Sequence, residues 1–248
     1  MSGHSKWANI RRRKEAQDSK RGKIFTKLIK EIAIAARIGG VDMDANPRLR
    51  LAVQNAKGVN MPKDNIQRAI NKGSGSDGTE YSEITYEGYG PGGVAIFVET
   101  TTDNVNRTVS NVRSAFSKYG GSLGTNGSLE FIFQRKGIFT YPVPVDFIED
   151  EFTLEVIDAG AEEVEIEDGY VTVTTAMEDF GRMQKKLDGL QIEVEEAELQ
   201  RIPNTLVKVE DEIFSKVIKL IETLDDDDDV QKVYHNLDAS TEQFESIS

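Results

Sequence analysis

The chain has 248 residues, of which 38% are apolar and 29% charged, with two histidines, no cysteine and a net charge of −13. This is the composition of a globular protein; it excludes disulfides, thiolate nucleophiles and cysteine-based metal sites, and it fits a reducing cytosol. Its apolar runs reach only about five residues against the ~18 that a spanning helix needs, so no membrane helix is expected.

The charge is segregated. Residues 1–73 hold 17 Lys and Arg against 6 Asp and Glu, and residues 74–248 hold 13 against 37, so a net +11 precedes a net −24. A polyanion is attracted to the first span and repelled by the second. The charge break, with a second change near Gly137, divides the chain into two or three modules of about 70 residues, each marginal alone.

The segment before Lys23 has charges on every side and few apolar anchors, which predicts partial disorder until a partner binds. Phe25, Leu28, Ile29, Ile32 and Ala36 then repeat at helical spacing, with Lys23, Lys27, Lys30 and Arg37 on another face, up to Gly39-Gly40. Asn46-Pro47 reads as a cap and first helical position ahead of Leu49, Ala52, Val53 and Ala56. Pro62 opens a third helix with Ile66, Ala69 and Ile70 inward, ended by Gly73. Three short helices make a small bundle.

Beyond the linker 74–79, strands are predicted at 84–87 and 94–101 around the hairpin turn Gly88-Tyr-Gly-Pro-Gly-Gly93, then a helix lined by Val105, Val109, Val112 and Phe116, then a strand at 129–133. That turn has the composition of a phosphate loop, but it joins two strands rather than opening a helix. Residues 137–199 read strand, helix, strand, strand, helix, strand, the split order of a ferredoxin-like unit. After Pro203 come a helix with Ile213, Val217, Ile221 and Leu224 inward and a last helix with Val230, Val233 and Leu237, covering the sheet begun before residue 134. The fold class is therefore α+β multidomain: a basic arm and helical bundle over 1–78, a central α+β domain over 79–134 and 205–248, and a ferredoxin-like domain over 135–204 inserted into it.

The candidate nucleic-acid-binding residues are His4, Lys6, Trp7, Asn9, Arg11, Arg12, Arg13, Lys14, Lys20, Arg21, Lys23, Lys27 and Lys30. Lys and Arg neutralise phosphates and release counterions, and Arg adds a planar fork for phosphate oxygens. Trp7 either stacks on a base or anchors the arm to the bundle. His4 suits a phosphate donor better than a general base; His235 is expected on a helix surface, and neither has a partner at metal-ligand spacing. Asp225–Asp229 fails as an EF-hand loop, because Val230 stands where glycine is needed and Asn236 where the bidentate glutamate belongs. It reads instead as an acidic cap of the last helix. No catalytic set and no cofactor or metal site emerges, so a nonenzymatic protein is expected, the rival being a metal-dependent phosphodiesterase with carboxylates converging between domains.

The blocks Gly3-His-Ser-Lys-Trp-Ala-Asn-Ile10, Ala16 to Ile29, Asn46-Pro-Arg-Leu-Arg50, Asn60-Met-Pro-Lys-Asp-Asn65, Tyr86-Glu-Gly-Tyr-Gly-Pro-Gly-Gly-Val-Ala95, Thr102-Asp-Asn and Asn106-Arg-Thr108 closely resemble the YebC/PmpR family over about the first 140 residues. The resemblance implies a helical N-terminal domain followed by two α+β domains, the third inserted into the second. It also implies a DNA-binding transcriptional regulator of the bacterial cytoplasm; mitochondrial relatives activate translation, and bacterial members are linked to ribosomes at proline-rich stretches. The partners expected are thus DNA or ribosomal RNA through the basic span, with the acidic domains as a surface for a basic protein and no membrane. Because the matching block opens at Gly3, a cytosolic protein without presequence is expected. Arg11-Arg-Arg13 departs from the family's more usual Lys-His-Arg, and Thr101 and Val105 replace Leu and Arg; loss of the cation at 105 puts a phosphate contact there in doubt.

Overall fold

The structure, a computed structural model, describes residues 18–75, 81–144, 147–240 and 242–243. The arm 1–17 lies outside them, and with it most of the segment expected to be disordered. Two compact units divide the described residues: those within 1–31, 77–134 and 202–248 form one, and those within 32–76 and 135–201 the other.

In the first unit, β1 (Ser82–Tyr89) and β2 (Ala95–Thr102) form the expected hairpin, pairing antiparallel from Ser82 with Thr102 to Tyr89 with Ala95. Gly92 and Gly93 of the connecting turn have φ of 70° and 76°, values that L side chains rarely adopt. Strand β3 (Ser122–Leu123) borders β1. Two helices, α4 (Val105–Lys118) and α7 (Asp211–Asp225), cover one face of the sheet. Ile96 and Val98 point into that core with Val112, Phe116, Val217, Ile221 and Leu224. The alternate residues Ala95 and Phe97 enter a smaller core on the opposite face with Leu129, Phe133 and Tyr234.

The last predicted helix is a strand. Residues Val230–His235 form β9, which pairs antiparallel with β2 and completes the order β3-β1-β2-β9. The register slips between Glu99 and Thr100, whose partners are Lys232 and Val230. Gln231 is the extra residue of this bulge, which places Val230 and Val233 in the same core. A spacing of three in a bulged strand thus imitates a helical stripe. His235 is consequently buried rather than on a helix surface. Residues 129–132 are turns instead of a strand, because a buried carboxylate described below takes the N–H of Leu129; the next strand, β4, begins at Phe133. A short parallel pair joins β8 (Val207–Lys208) and β10 (Leu237–Asp238).

The first helix, α1 (Asp18–Gly39), begins ahead of Lys23. In the second unit its later turns meet α2 (Pro47–Gly58) and α3 (Lys63–Gly73). Buried Asn46 serves two helices at once: its Oδ1 accepts from the N–H of Leu49 at 3.0 Å, while its Nδ2 donates to the carbonyls of Ala35 and Gly40, each at 2.7 Å. A Cβ at Gly73 would lie 2.3 Å from the Ala33 carbonyl oxygen, so only glycine permits α3 to close on α1.

The same unit holds all but the first two residues of β4 (Phe133–Pro142), α5 (Glu149–Ile157), β5 (Ala161–Glu167), β6 (Tyr170–Ala176), α6 (Phe180–Gly189) and all but the last two residues of β7 (Glu196–Pro203), with sheet order β5-β6-β4-β7. This is the strand-helix-strand, strand-helix-strand succession expected of a ferredoxin-like unit. Phe139, Tyr141, Phe152, Val156, Val173, Met183 and Leu187 fill its core.

Candidate nucleic-acid interface

Of the thirteen candidate residues, His4, Lys6, Trp7, Asn9, Arg11, Arg12, Arg13 and Lys14 lie outside the described residues. Lys20 and Arg21 fall within α1. Lys23, Lys27 and Lys30 stand at i, i+4 and i+7 of α1, one per turn and therefore on one face. That face is engaged by carboxylates of the same chain.

Lys23 Nζ donates to Asp226 at 2.6 Å, and Lys27 Nζ to the carboxylate of Asp225 at 2.8 Å and to its carbonyl at 3.1 Å. Lys30 Nζ donates to Asp229 at 3.1 Å and to the carbonyls of Asp228 and Thr101 at 2.6 and 3.3 Å. Asp225–Asp229 therefore continues from the C-terminus of α7 and receives the lysines of α1. Capping of a following helix is corrected, since β9 follows.

At the deep end sits Asp229, whose side chain is 4% exposed. Helix α4, capped by Asn104 Oδ1 on the Arg107 N–H, aims two further donors at it. Arg107 reaches Asp229 through Nη2 at 2.7 Å and Nε at 3.0 Å, and Thr108 Oγ1 donates at 2.9 Å. Burial alone would push the Asp229 carboxyl up; hydrogen bonds from Arg107, Lys30 and Thr108, with the charge of Lys30, outweigh it and hold the carboxyl below its ordinary range. The hydrogen bonds that Arg107 donates to Asp229 and to Asp103 raise its guanidinium. Asn111 Nδ2 fixes Asp227 at 2.9 Å, and Asp227 in turn accepts the N–H of Asp229 at 2.8 Å.

Arg107 and Thr108 are not among the candidates expected from sequence, although they stand in the block Asn106-Arg-Thr108, and Asp229 is expected only as part of an acidic cap. Glu87 is not among those candidates either; it is buried in β1 and accepts the N–H groups of Gly127 at 2.7 Å and Leu129 at 2.6 Å. A buried carboxylate whose partners lie 40 and 42 residues away leaves no local pattern.

The second unit has its own cations. Arg37, Arg50, Lys57, Lys63 and Arg68 are all exposed on or beside α1, α2 and α3. Among the described residues no group of three or more His, Asp or Glu side chains is placed to hold a metal ion, and no helix is long and apolar enough to cross a membrane.

Two family models match: "TACO1/YebC protein N-terminal domain" over residues 5–76 and "TACO1/YebC second and third domain" over residues 81–237. A "Probable transcriptional regulatory protein" of Amoebophilus asiaticus is 56% identical over 244 residues, covering 98% of this chain and 100% of that protein. The "Probable transcriptional regulatory protein YrbC" of Bacillus subtilis is 52% identical over 238 residues, covering 95% and 99%. A crystal structure of a conserved hypothetical protein from Aquifex aeolicus superposes with a TM-score of 0.81 at 43% identity, covering 89% of this chain and 91% of that one. The chain belongs to the TACO1/YebC family.

Proposed function

We infer that this protein is a nonenzymatic, DNA-binding transcriptional regulator whose basic N-terminal span captures the phosphate backbone. The observation that carries this reading is the confinement of a net +11 to residues 1–73, nearly all of which fall in the N-terminal family model's match over residues 5–76. The names of the relatives favour transcription as the process served. Phosphate contacts supply sequence-independent affinity, and Arg11, Arg12 and Arg13 with Lys6 and Lys14 offer five cations for it. The exposed cations around α2 and α3 add to the attraction. The acidic remainder is repelled by the polyanion and orients the body away from it.

Replacing Arg11, Arg12 and Arg13 together by Ala is expected to weaken binding about tenfold for all duplexes alike and to lower the magnitude of the log–log salt slope by about 2.7. Loss confined to one sequence would indicate base reading instead. Crosslinking in cells followed by sequencing of the recovered nucleic acid is expected to enrich promoter DNA. Enrichment of ribosomal RNA would replace transcription by translation as the process served.

A further inference from the structure

The geometry points to an autoinhibitory latch: Asp225 and Asp226 occupy Lys27 and Lys23 in place of phosphates and must be displaced before α1 can join the nucleic-acid interface. The inference rests on the function proposed above and names a regulation of that same site. Carboxylate and phosphate oxygens accept alike from a lysine ammonium, and the α1 lysines lie one turn apart along a single face. Each meets one carboxylate of a run of five consecutive aspartates.

The three pairs are graded along the helix. Lys30 and Asp229 are 11% and 4% exposed, Lys27 and Asp225 16% and 33%, and Lys23 and Asp226 43% and 71%. The inner pair is also secured by Arg107 and Thr108, whereas the Asp226 carboxylate accepts from Lys23. Water and salt screen the outermost pair, Lys23 with Asp226, strongly, so it adds little to folding and yields readily to a denser anion; the half-buried Lys27–Asp225 pair is screened less and yields after it. A polyanion held by the preceding residues meets Lys23 first and Lys27 next, while Lys30 stays fixed to Asp229. The latch thus opens from the N-terminal side and sets a threshold: weakly held anions leave it shut, and a continuous phosphate backbone opens it.

The test compares three full-length proteins on a fluorescein-labelled duplex of arbitrary sequence: wild type, Asp225→Asn with Asp226→Asn, and a charge-matched control, Asp211→Asn with Glu212→Gln, altered at exposed acids far from α1 in sequence. The latch predicts that the first double variant binds roughly three- to tenfold tighter than the control. It also predicts faster acetylation of Lys23 and Lys27 in that variant, read by mass spectrometry without DNA. Equal affinity of the two double variants, with DNA bound by both, overturns the latch and leaves the proposed function standing. Absence of binding by all three proteins overturns both.

Discussion

Asp229→Ala is expected to lower stability by about 3 kcal/mol, the largest loss from any single carboxylate of the acidic run, seen as a fall in Tm of roughly 6–12 °C for a chain of this size. Removing one partner of a buried ion pair typically costs ~3–5 kcal/mol, because the other charge is left desolvated. Here the abandoned groups are Lys30, 11% exposed, and the buried hydroxyl of Thr108. Lys30 keeps the carbonyls of Asp228 and Thr101, which places the loss at the lower end. Arg107 is nearly half exposed and keeps Asp103, so it rehydrates and adds little. The pH dependence follows from the depressed carboxyl of Asp229. Its contribution is fully present above the ordinary aspartate value of about 4 and is lost as pH falls through its lower folded value. Thermal melts of wild type and Asp229→Asn should therefore differ at neutral pH and converge on acidification below about pH 4. A gap that persists unchanged in acid would show that Asp229 does not act through its charge.

The second large effect is expected at Glu87→Ala, with a loss of about 2–4 kcal/mol. This carboxylate sits inside β1 and holds the glycine-rich stretch after β3 by accepting from Leu129 and Gly127. Hydrogen bonds to an ionised acceptor contribute ~1.5–3 kcal/mol each, and a buried donor without an acceptor costs ~1–3 kcal/mol. Leu129 is fully buried beside Phe97 and Phe133, so its N–H finds no water in exchange, whereas the exposed Gly127 rehydrates. Glu87→Gln retains one accepting oxygen and should lose about half as much. Hydrogen exchange locates the effect: faster exchange at Leu129, with α2 and α3 unchanged, supports the clamp, and a uniform increase through the chain contradicts it.

Local chemistry made the bundle helices, the β1–β2 hairpin and the first five elements after Gly137 readable from sequence, whereas the last strand, expected at 191–197, runs from Glu196 to Pro203. Asn46-Pro47, Pro62 and the glycines at 39, 58 and 73 are signals carried by single residues at helix ends. Long-range contacts stayed hidden. The bulge at Gln231 gave β9 a helical spacing, and the strand is buried on both faces, so no alternation was left to contradict that reading. The lysine face of α1 was legible as a face, but its occupants stand about two hundred residues further on, and a run of five aspartates resembles any solvated acidic loop. Fold class follows from periodicity and punctuation, while the pairing of the lysines with Asp225, Asp226 and Asp229 follows only from topology.

The attraction between the basic span and a phosphate backbone is tested most directly by measuring the affinity of the full-length chain for a labelled duplex as salt is raised. Neutralisation of five phosphates gives a slope of about −4.5 in log affinity against log salt, and about −3.5 on a single strand. An affinity that does not change with salt on either polymer would contradict the account.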